Sequence, residues 1–567
     1  MIRMKKSILL MACMWAMIAK TQTLTPDITA KDNAKMQWWK DAKYGMFIHW
    51  GLYAIPAGKW GSSTSHGEWL MKFAKIPRQE YALLAKQFNP IQFDADAWVK
   101  LAKDAGQKYM VLTAKHHDGF ALFRSKASTY NVVDATQFKK DIVEAYANAC
   151  RKYGMKMGLY YSQAQDWYHP GGAVWAGQEW DSTHLGKMDA YIDSIALPQV
   201  KEILGNYGDV AVLWWDTPVG MTKEMSQKLA DVVKQYPNLI TNNRLGAGMG
   251  GDLETPEQFI PATGFPDRNW EVCMTMNGNW GYNAYDDKWK STKDILQKLI
   301  DIVSKGGNFL LNVGPNPYGI IPEVCQTNLL DIGQWLQQNG QAIYGTTASP
   351  FPYLSWGRAT RKEQKLYLHV FQWPANQQLV VPMNNKITHA HLLADPKTAL
   401  KVHFNNGVST IQLPAYSPDK RASVIEVDFK GEPIITPAPS VGKKVFANVA
   451  DSASNATYLT DNNPHTRWQA PKGDTSATLT IDLGKPETIQ AIGLIETAAA
   501  DGVLSHKKQH HELLYWTGSE WKSVVQVVTN GAGQLKDFTP IKAQKFQLIV
   551  RNAKQPSLAE WVLYKTE

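Results

Sequence analysis

From about residue 44 to residue 345, short apolar runs alternate with longer segments whose apolar positions recur every three or four residues. The runs YGMFIHWG (44–51), KYMVLTAKHHDGF (108–120), MKMGLYYSQ (155–163), DVAVLWWDTPVG (209–220), NLITNNR (238–244), WEVCMT (270–275) and NFLLNVGP (308–315) predict buried strands and the turns that close them. The segments 93–106, 139–154, 187–206, 221–235 and 292–304 predict amphipathic helices. Asp94 is placed to cap the first of these, and Gly106 and Gly154 to end the first two. Alternating strand and helix implies a parallel sheet with buried strands. Seven or eight such units over roughly 300 residues predict an α/β fold with a (β/α)8-like barrel. The alternative is a doubly wound sheet, which the lack of a GxGxxG turn after the first strand disfavours.

Beyond residue 347 the helical period stops. KLYLHVFQW (365–373), QQLVVPM (378–384), HAHLLA (389–394) and VSTIQLP (408–414) predict a small antiparallel β-sandwich over 346–435. KGEPIITPAPSVGKK (430–444) reads as a Pro- and Gly-rich linker. A second all-β block, a further sandwich, fills 436–567. At the other end, Arg3, Lys5 and Lys6 precede the apolar run Ile8 to Ala19, too short to span a membrane. This predicts a signal peptide over 1–22, a catalytic barrel over 23–345, and export to a bacterial periplasm with no membrane span in the mature chain.

Composition changes the picture in three places. Loss of the leader lowers the formal charge from +9 to about +5, which is no nucleic-acid footprint in a chain of 567 residues. Cys150, Cys273 and Cys325 remain, with no CxxC, so the mature chain has neither a disulfide framework nor a zinc knuckle. The 22 tryptophans exceed ordinary usage and suit pockets for ligands that are part apolar and part hydroxylated, sugars among them.

In a barrel the active site lies at the C-terminal ends of the strands. Here the strands close on His49, on His116-His117-Asp118, on Tyr160-Tyr161, on Asp216 and on Arg244, all on one rim. Asp216 before Thr-Pro is also good turn chemistry, but five polar endings on one rim read as a site. Glycoside hydrolysis needs a second carboxylate. GGDLETPEQF (250–259) offers Asp252, Glu254 and Glu257, and Glu68 and Glu271 are further candidates among which composition does not choose. His49, His116 and His117, with Glu68 or Asp118, could instead hold a metal, although neighbouring histidines on a strand face opposite ways and no HExxH is present. No GxSxG elbow or Walker Lys-Ser/Thr is found.

The motifs WWKDAKYGMFIHWGLYAIP, GEWLM, LTAKHHDGFALF, GLYYS, LWWDTP, NNR, GDLETPEQ, WEVCMTMNGNWGY and SKGGNFLLNVGP, in this order, resemble the retaining α-L-fucosidases of glycoside hydrolase family 29. The resemblance implies an exo-acting hydrolase that releases terminal L-fucose from fucosylated glycans, with no cofactor in the chemistry. By position, Asp216 is similar to the nucleophile and Glu257 to the acid/base, with Glu254 the second choice. His49, Glu68, Trp69, His116, His117, Tyr160, Trp214 and Arg244 match residues that hold the sugar ring, and Trp280 an aromatic facing the C5 methyl. Asp216 is then expected ionised beside Arg244 or a His, and Glu257 protonated by burial, the two carboxyls roughly 5–5.5 Å apart. Thr217 stands where many relatives carry Gly, and is expected to begin a helix.

The C-terminal block resembles the discoidin (factor 5/8 C-type) sandwich, the fold of many carbohydrate-binding modules. The resemblance implies a structural calcium on Asp461, Thr466 and Glu560. Three rival readings stay open: a non-catalytic sugar-binding protein on the same scaffold, a hydrolase of the same family acting on a related sugar, and a metal-dependent hydrolase. Linkage preference and oligomeric state are not legible.

Overall fold

The computed structural model describes residues 34–567 except 65, 175–178, 266, 406, 450–454, 497–507, 530, 532, 552–554 and 566–567. The expected signal peptide lies outside the described residues. Seven parallel strands form the first sheet: β1 (Tyr44–Ile48), β2 (Tyr109–Lys115), β3 (Lys156–Tyr161), β4 (Val212–Trp215), β5 (Ile240–Thr241), β6 (Glu271–Thr275) and β7 (Asn308–Val313), in the order β5-β4-β3-β2-β1-β7-β6. The sheet curls, and its strands feed two apolar cores. Tyr109 and Val111 of β2 join Phe47, Tyr160, Trp214 and Cys273 inside the curl, while Met110 and Leu112 join the core beneath the surrounding helices. This is the period-2 alternation of a strand buried on both faces.

The helices form where their caps allow. Ala95–Asp104 is N-capped by Asp94, whose side chain accepts from Ala97 N, and Ile142–Tyr153 ends on Gly154 at φ +68°. The third predicted helix is present but carries a π-turn at Ile192–Ala196, just before Pro198, which has no N–H to give the regular ladder. Lys223–Val233 and Thr292–Ser304 follow the predicted pattern.

The expected eight-stranded barrel is met in seven strands, with an irregular gap between β5 and β6. The strand predicted over 238–244 shrinks to two residues, because the Asn242 side chain takes the next rung: its Oδ1 accepts from Trp215 N (3.0 Å) and its Nδ2 donates to Trp215 O (2.9 Å). Residues 252–258 run through the gap and bond to both edges. Asp252 N donates to Thr241 O (2.7 Å) on one side, and Cys273 N to Pro256 O (3.2 Å) and Gln258 N to Cys273 O (3.0 Å) on the other.

Residues beyond the barrel are antiparallel. One sheet of five strands and one of three enclose a core of Leu366, Leu368, Ile411, Ile425 and their neighbours. A six-stranded sheet, built on the long strands Ala477–Ile495 and Gln534–Arg551, surrounds a separate core around Trp468, Phe546 and Trp561. The Pro-rich stretch after 430 is not a free linker: Asn385 ties down Lys430 O, Glu432 O and Ile434 N. The last β-domain also touches the barrel, where His465 Nε2 meets Asp267 Oδ2 at 2.9 Å.

Candidate active site

His49, His116, His117, Tyr160, Asp216 and Arg244 come together at one rim, while Tyr161 turns to the outer face of the sheet, its OH donating to Gln199 Oε1 (2.8 Å). β4 ends at Trp215, so Asp216 emerges at the mouth of the curl, its N–H donated to Gln163 Oε1 (3.1 Å). Its Oδ1 accepts from Arg244 Nη1 (2.9 Å) and its Oδ2 from Tyr160 OH (2.8 Å), with His117 Nε2 at 3.5 Å. Burial alone would push this carboxyl up; Arg244, His117 and Tyr160 together hold it below the usual range, so it stays ionised as expected.

Arg244 is the hub. Its Nε donates to Thr255 Oγ1 (2.8 Å) and its Nη2 to Thr255 O (2.9 Å), while Nη1 serves Asp216 Oδ1 and Glu257 Oε2, both at 2.9 Å. The guanidinium lies 4.7 Å over the Trp214 ring. A planar fork with five donors can make this set of contacts; a lysine cannot.

Glu257 therefore shares a nitrogen with Asp216, whereas Glu254 faces away, bonded to Asn243 Nδ2 and 3.5 Å from Arg268. One expectation is corrected here. The Glu257 side chain is 37% exposed and ion-paired, so the burial invoked to keep it protonated is not present in the free protein.

The histidines are neutral hydrogen-bonding groups. His49 Nδ1 meets Asn312 Oδ1 (2.7 Å), His117 Nδ1 meets Ser162 Oγ (2.7 Å), and Nδ1 of His116 is buried without a protein partner. Burial lowers His49 and His117 to about 4 and His116 well below its usual value. Asp118 is turned aside to Tyr81 OH (3.0 Å), and among the described residues no three His, Cys, Asp or Glu converge as a metal site.

Glu68 is buried and accepts from Trp280 N (3.1 Å) and Gly281 N (2.9 Å); burial pushes it up to about 7. A Cβ at Gly281 would lie 2.7 Å from the Tyr53 ring, which is why this close turn needs glycine. The Trp280 ring stands 5.0 Å from His49 and 6.0 Å from Phe47, and Trp69 stands 5.1 Å from His117. Trp214 is buried instead beneath Arg244, its Nε1 donating to Glu271 Oε1 (3.3 Å). Glu271 thus lies under the site rather than at its rim.

Thr217 does not begin a helix. It sits at φ +42°, a conformation costly for a β-branched residue, and the next helix starts at Lys223, capped by Thr222. The chain turns sharply there, with Val219 N on Thr217 O (2.8 Å). Sequence reasoning missed Gln163, Thr255 and Asn312, which hold Asp216, Arg244 and His49. All three lie within or beside quoted motifs, but nothing local marks their partners.

At the far end of the chain, Asp461, Thr466 and Glu560 do converge. Thr466 Oγ1 donates to Asp461 Oδ2 (2.8 Å), Asn463 N to Glu560 Oε1 (2.6 Å), and Glu560 Oε2 is buried without a partner. Burial and the facing Asp461 push Glu560 up to about 8. Two acids crowded in this way fit a cation.

Two carboxylates tethered to one guanidinium, walled by rings and by imidazoles suited to hydroxyls, define a glycoside hydrolase. Residues 11–341, more than half of the chain, match the Alpha-L-fucosidase family model, and the chain belongs to that family. Residues 445–563 match the F5/8 type C domain. The chain is similar to tissue alpha-L-fucosidase of Homo sapiens, 30% identical over 429 residues that cover 69% of this chain and 88% of that one. Its structure resembles the alpha-L-fucosidase of Vibrio sp. strain EJY3 (29% identity, TM-score 0.70, covering 92% of this chain and 97% of that one). It also resembles a family 29 alpha-L-fucosidase from Bacteroides thetaiotaomicron, a trapped covalent intermediate in complex with 2-fluoro-fucosyl fluoride (29% identity, TM-score 0.63, covering 70% and 97%).

Proposed function

We infer that the chain is an exo-acting enzyme that releases terminal L-fucose from fucosylated glycans by double displacement. The observation that carries this reading is the sharing of Arg244 Nη1 by Asp216 and Glu257. Two contacts of 2.9 Å to one nitrogen cap the separation of those oxygens at about 6 Å, short of the ~6.5–9.5 Å of an inverting pair.

In the first half-reaction an Asp216 oxygen attacks the anomeric carbon. The glycosidic bond breaks, and the leaving oxygen takes a proton from Glu257. In the second, Glu257 takes a proton from water, the water oxygen bonds to the anomeric carbon, and the bond to Asp216 breaks. Substrate bound over Glu257 removes it from water and so favours its protonated form. His49, His116, His117, Tyr160 and Glu68 supply hydroxyl partners, and Trp69 and Trp280 supply ring faces. The segment 252–258 stands in for an eighth barrel strand and brings Glu257 to its C-terminal end.

The test is an aryl α-L-fucoside followed by NMR from the first minutes, with wild type beside Asp216→Gly. The expected result is α-fucose first, loss of at least ~10³-fold in the variant, and rescue by azide. β-Fucose as first product would overturn retention, and binding without release in both proteins would make this a sugar-binding protein.

The reading divides the chain into a leader (1–22), removed on export to a periplasm, a catalytic barrel (23–345), and β-domains over 346–435 and 436–567. No helix among the described residues is long and apolar enough to cross a membrane. Asp461, Thr466 and Glu560 would hold a structural calcium, which neutralises the crowded acids. Calcium titration of the whole protein should then show one site, and chelator should lower the unfolding temperature without changing the early product anomer.

A further inference from the structure

Gln258 directly follows Glu257 and sits at φ +64°, the left-handed region that favours glycine. It is an exposed residue, yet its amide turns inward on buried Thr275, the last residue of β6. Gln258 Nε2 donates to Thr275 Oγ1 (3.0 Å), and Gln258 Oε1 accepts from Thr275 N (3.3 Å). Thr275 Oγ1 passes its own proton to Asn277 O (2.5 Å), so its lone pair is free for the glutamine.

These contacts continue a ladder. Along β6, Glu271 N bonds Glu254 O (2.9 Å), Cys273 N bonds Pro256 O, and Gln258 N bonds Cys273 O. The next rung belongs to Thr275 N, but the kink at Gln258 has already carried the backbone away. The side-chain amide, which has the same donor and acceptor as a peptide, takes that rung instead. Earlier in the segment, Glu254 is separately pinned by Asn243 and Arg268. The stretch between these two anchors holds Glu257.

We propose that Gln258 is a positioning residue for Glu257: its amide clamp on Thr275 holds the left-handed kink and so fixes where the Glu257 carboxyl reaches. Without the clamp the backbone at 258 is free to relax to negative φ, which reorients the peptide that follows Glu257 and loosens its carboxyl from Arg244. Asp216, held from β4 by Gln163, Tyr160 and Arg244, is untouched by this change. The inference rests on Glu257 being the acid/base. It predicts a selective loss of proton delivery rather than of nucleophilic attack.

The experiment compares wild type, Glu257→Ala, Gln258→Ala and Gln258→Gly on phenyl α-L-fucoside, whose leaving group needs a proton, and 2,4-dinitrophenyl α-L-fucoside, whose leaving group does not. Gln258→Gly is the decisive variant, since glycine accepts the positive φ without strain but makes no clamp. The expected result for both Gln258 variants is a fall of about 10- to 100-fold in kcat/KM, which reports the first half-reaction alone, on the phenyl substrate and under about threefold on the dinitrophenyl one. Gln258→Gly should unfold at or above the wild-type temperature.

Equal losses on the two substrates, or none on either, would overturn the positioning role. Glu257→Ala separates the two ideas. If it shows the leaving-group split and Gln258→Gly does not, only the clamp fails. If it shows no split, the acid assignment itself fails.

Discussion

At Arg244 a single nitrogen faces both acids, so the pH behaviour of the site runs through one side chain. Burial pushes the Asp216 carboxyl up and the guanidinium, first among its partners, pulls it down past its ordinary value. Replacing Arg244 by Gln removes the pull and leaves the push. Asp216 is then protonated at higher pH, so the acidic limb of the kcat/KM profile should move upward, along with a rate loss of ~10²-fold or more. Thr217 makes a different prediction. Its φ of +42° carries a strain of roughly 1–2 kcal/mol that glycine lacks, so Thr217→Gly should raise the unfolding temperature by a few degrees. Asp216 was legible as a candidate at this scale because the apolar run 210–215, of which Val212–Trp215 forms β4, ends on it. The choice between Glu254 and Glu257 was not, because the two lie three apart in an irregular segment. What separates them is which arginine each meets, Arg268 or Arg244, and those contacts are made by the fold.

Among the elements, the strands were the most readable and their ends the least. β5 stops at two residues because Asn242 bonds Trp215 through its side chain, a substitution that hydrophobic periodicity does not register. The helix Glu323–Asn339 was not predicted. Pro322 at its start offers no side-chain cap, and Trp335 and Leu336 are buried where the β-sandwich packs on it, with Trp335 Nε1 on Ala422 O (2.9 Å). Two-sided burial blurs the amphipathic stripe on which such predictions rest. The end of β2 carries a second prediction. Lys115 and Asp166 form a fully buried ion pair at 2.7 Å, and Asp166 also binds His169 Nδ1 (2.9 Å) and Tyr191 OH (3.2 Å). The same loop donates Trp167 N to His117 O (2.7 Å), so this cluster sits directly behind the site. Asp166→Asn strands the lysine charge in the interior and should cost about 3–5 kcal/mol, read as a lowered unfolding temperature, with activity lost in the same proportion as folded protein.

Across the whole molecule the barrel and the two β-domains are not equally separable. Tyr367, Leu393, Ala422 and Val424 of the β-sandwich belong to the same apolar cluster as the barrel. Arg358 also reaches across to Asp301, which is paired with Lys305. The last domain has its own cluster and meets its neighbours through smaller contacts, such as the Tyr353–Tyr564 stack at 5.0 Å. A chain ending at 440 should therefore fold and keep its activity on a small aryl fucoside, with an unfolding temperature within a few degrees of the full protein. A chain ending at 345 exposes Trp335 and its neighbours and should aggregate. Soluble expression and thermal unfolding of the two chains check this directly.

The pairing of β1 with β7 sets a schedule for synthesis. Tyr44 lies beside Phe309 and Ile48 beside Val313, so one flank of the first strand has no partner until the last strand of the barrel has been made. At roughly 5–20 residues per second, the growing chain holds that apolar edge open for about ten to fifty seconds. During this interval nothing in the chain can seal it, and a strand edge of this kind is a template for aggregation. The yield of folded protein should therefore respond to holdase supply more steeply than its final stability suggests.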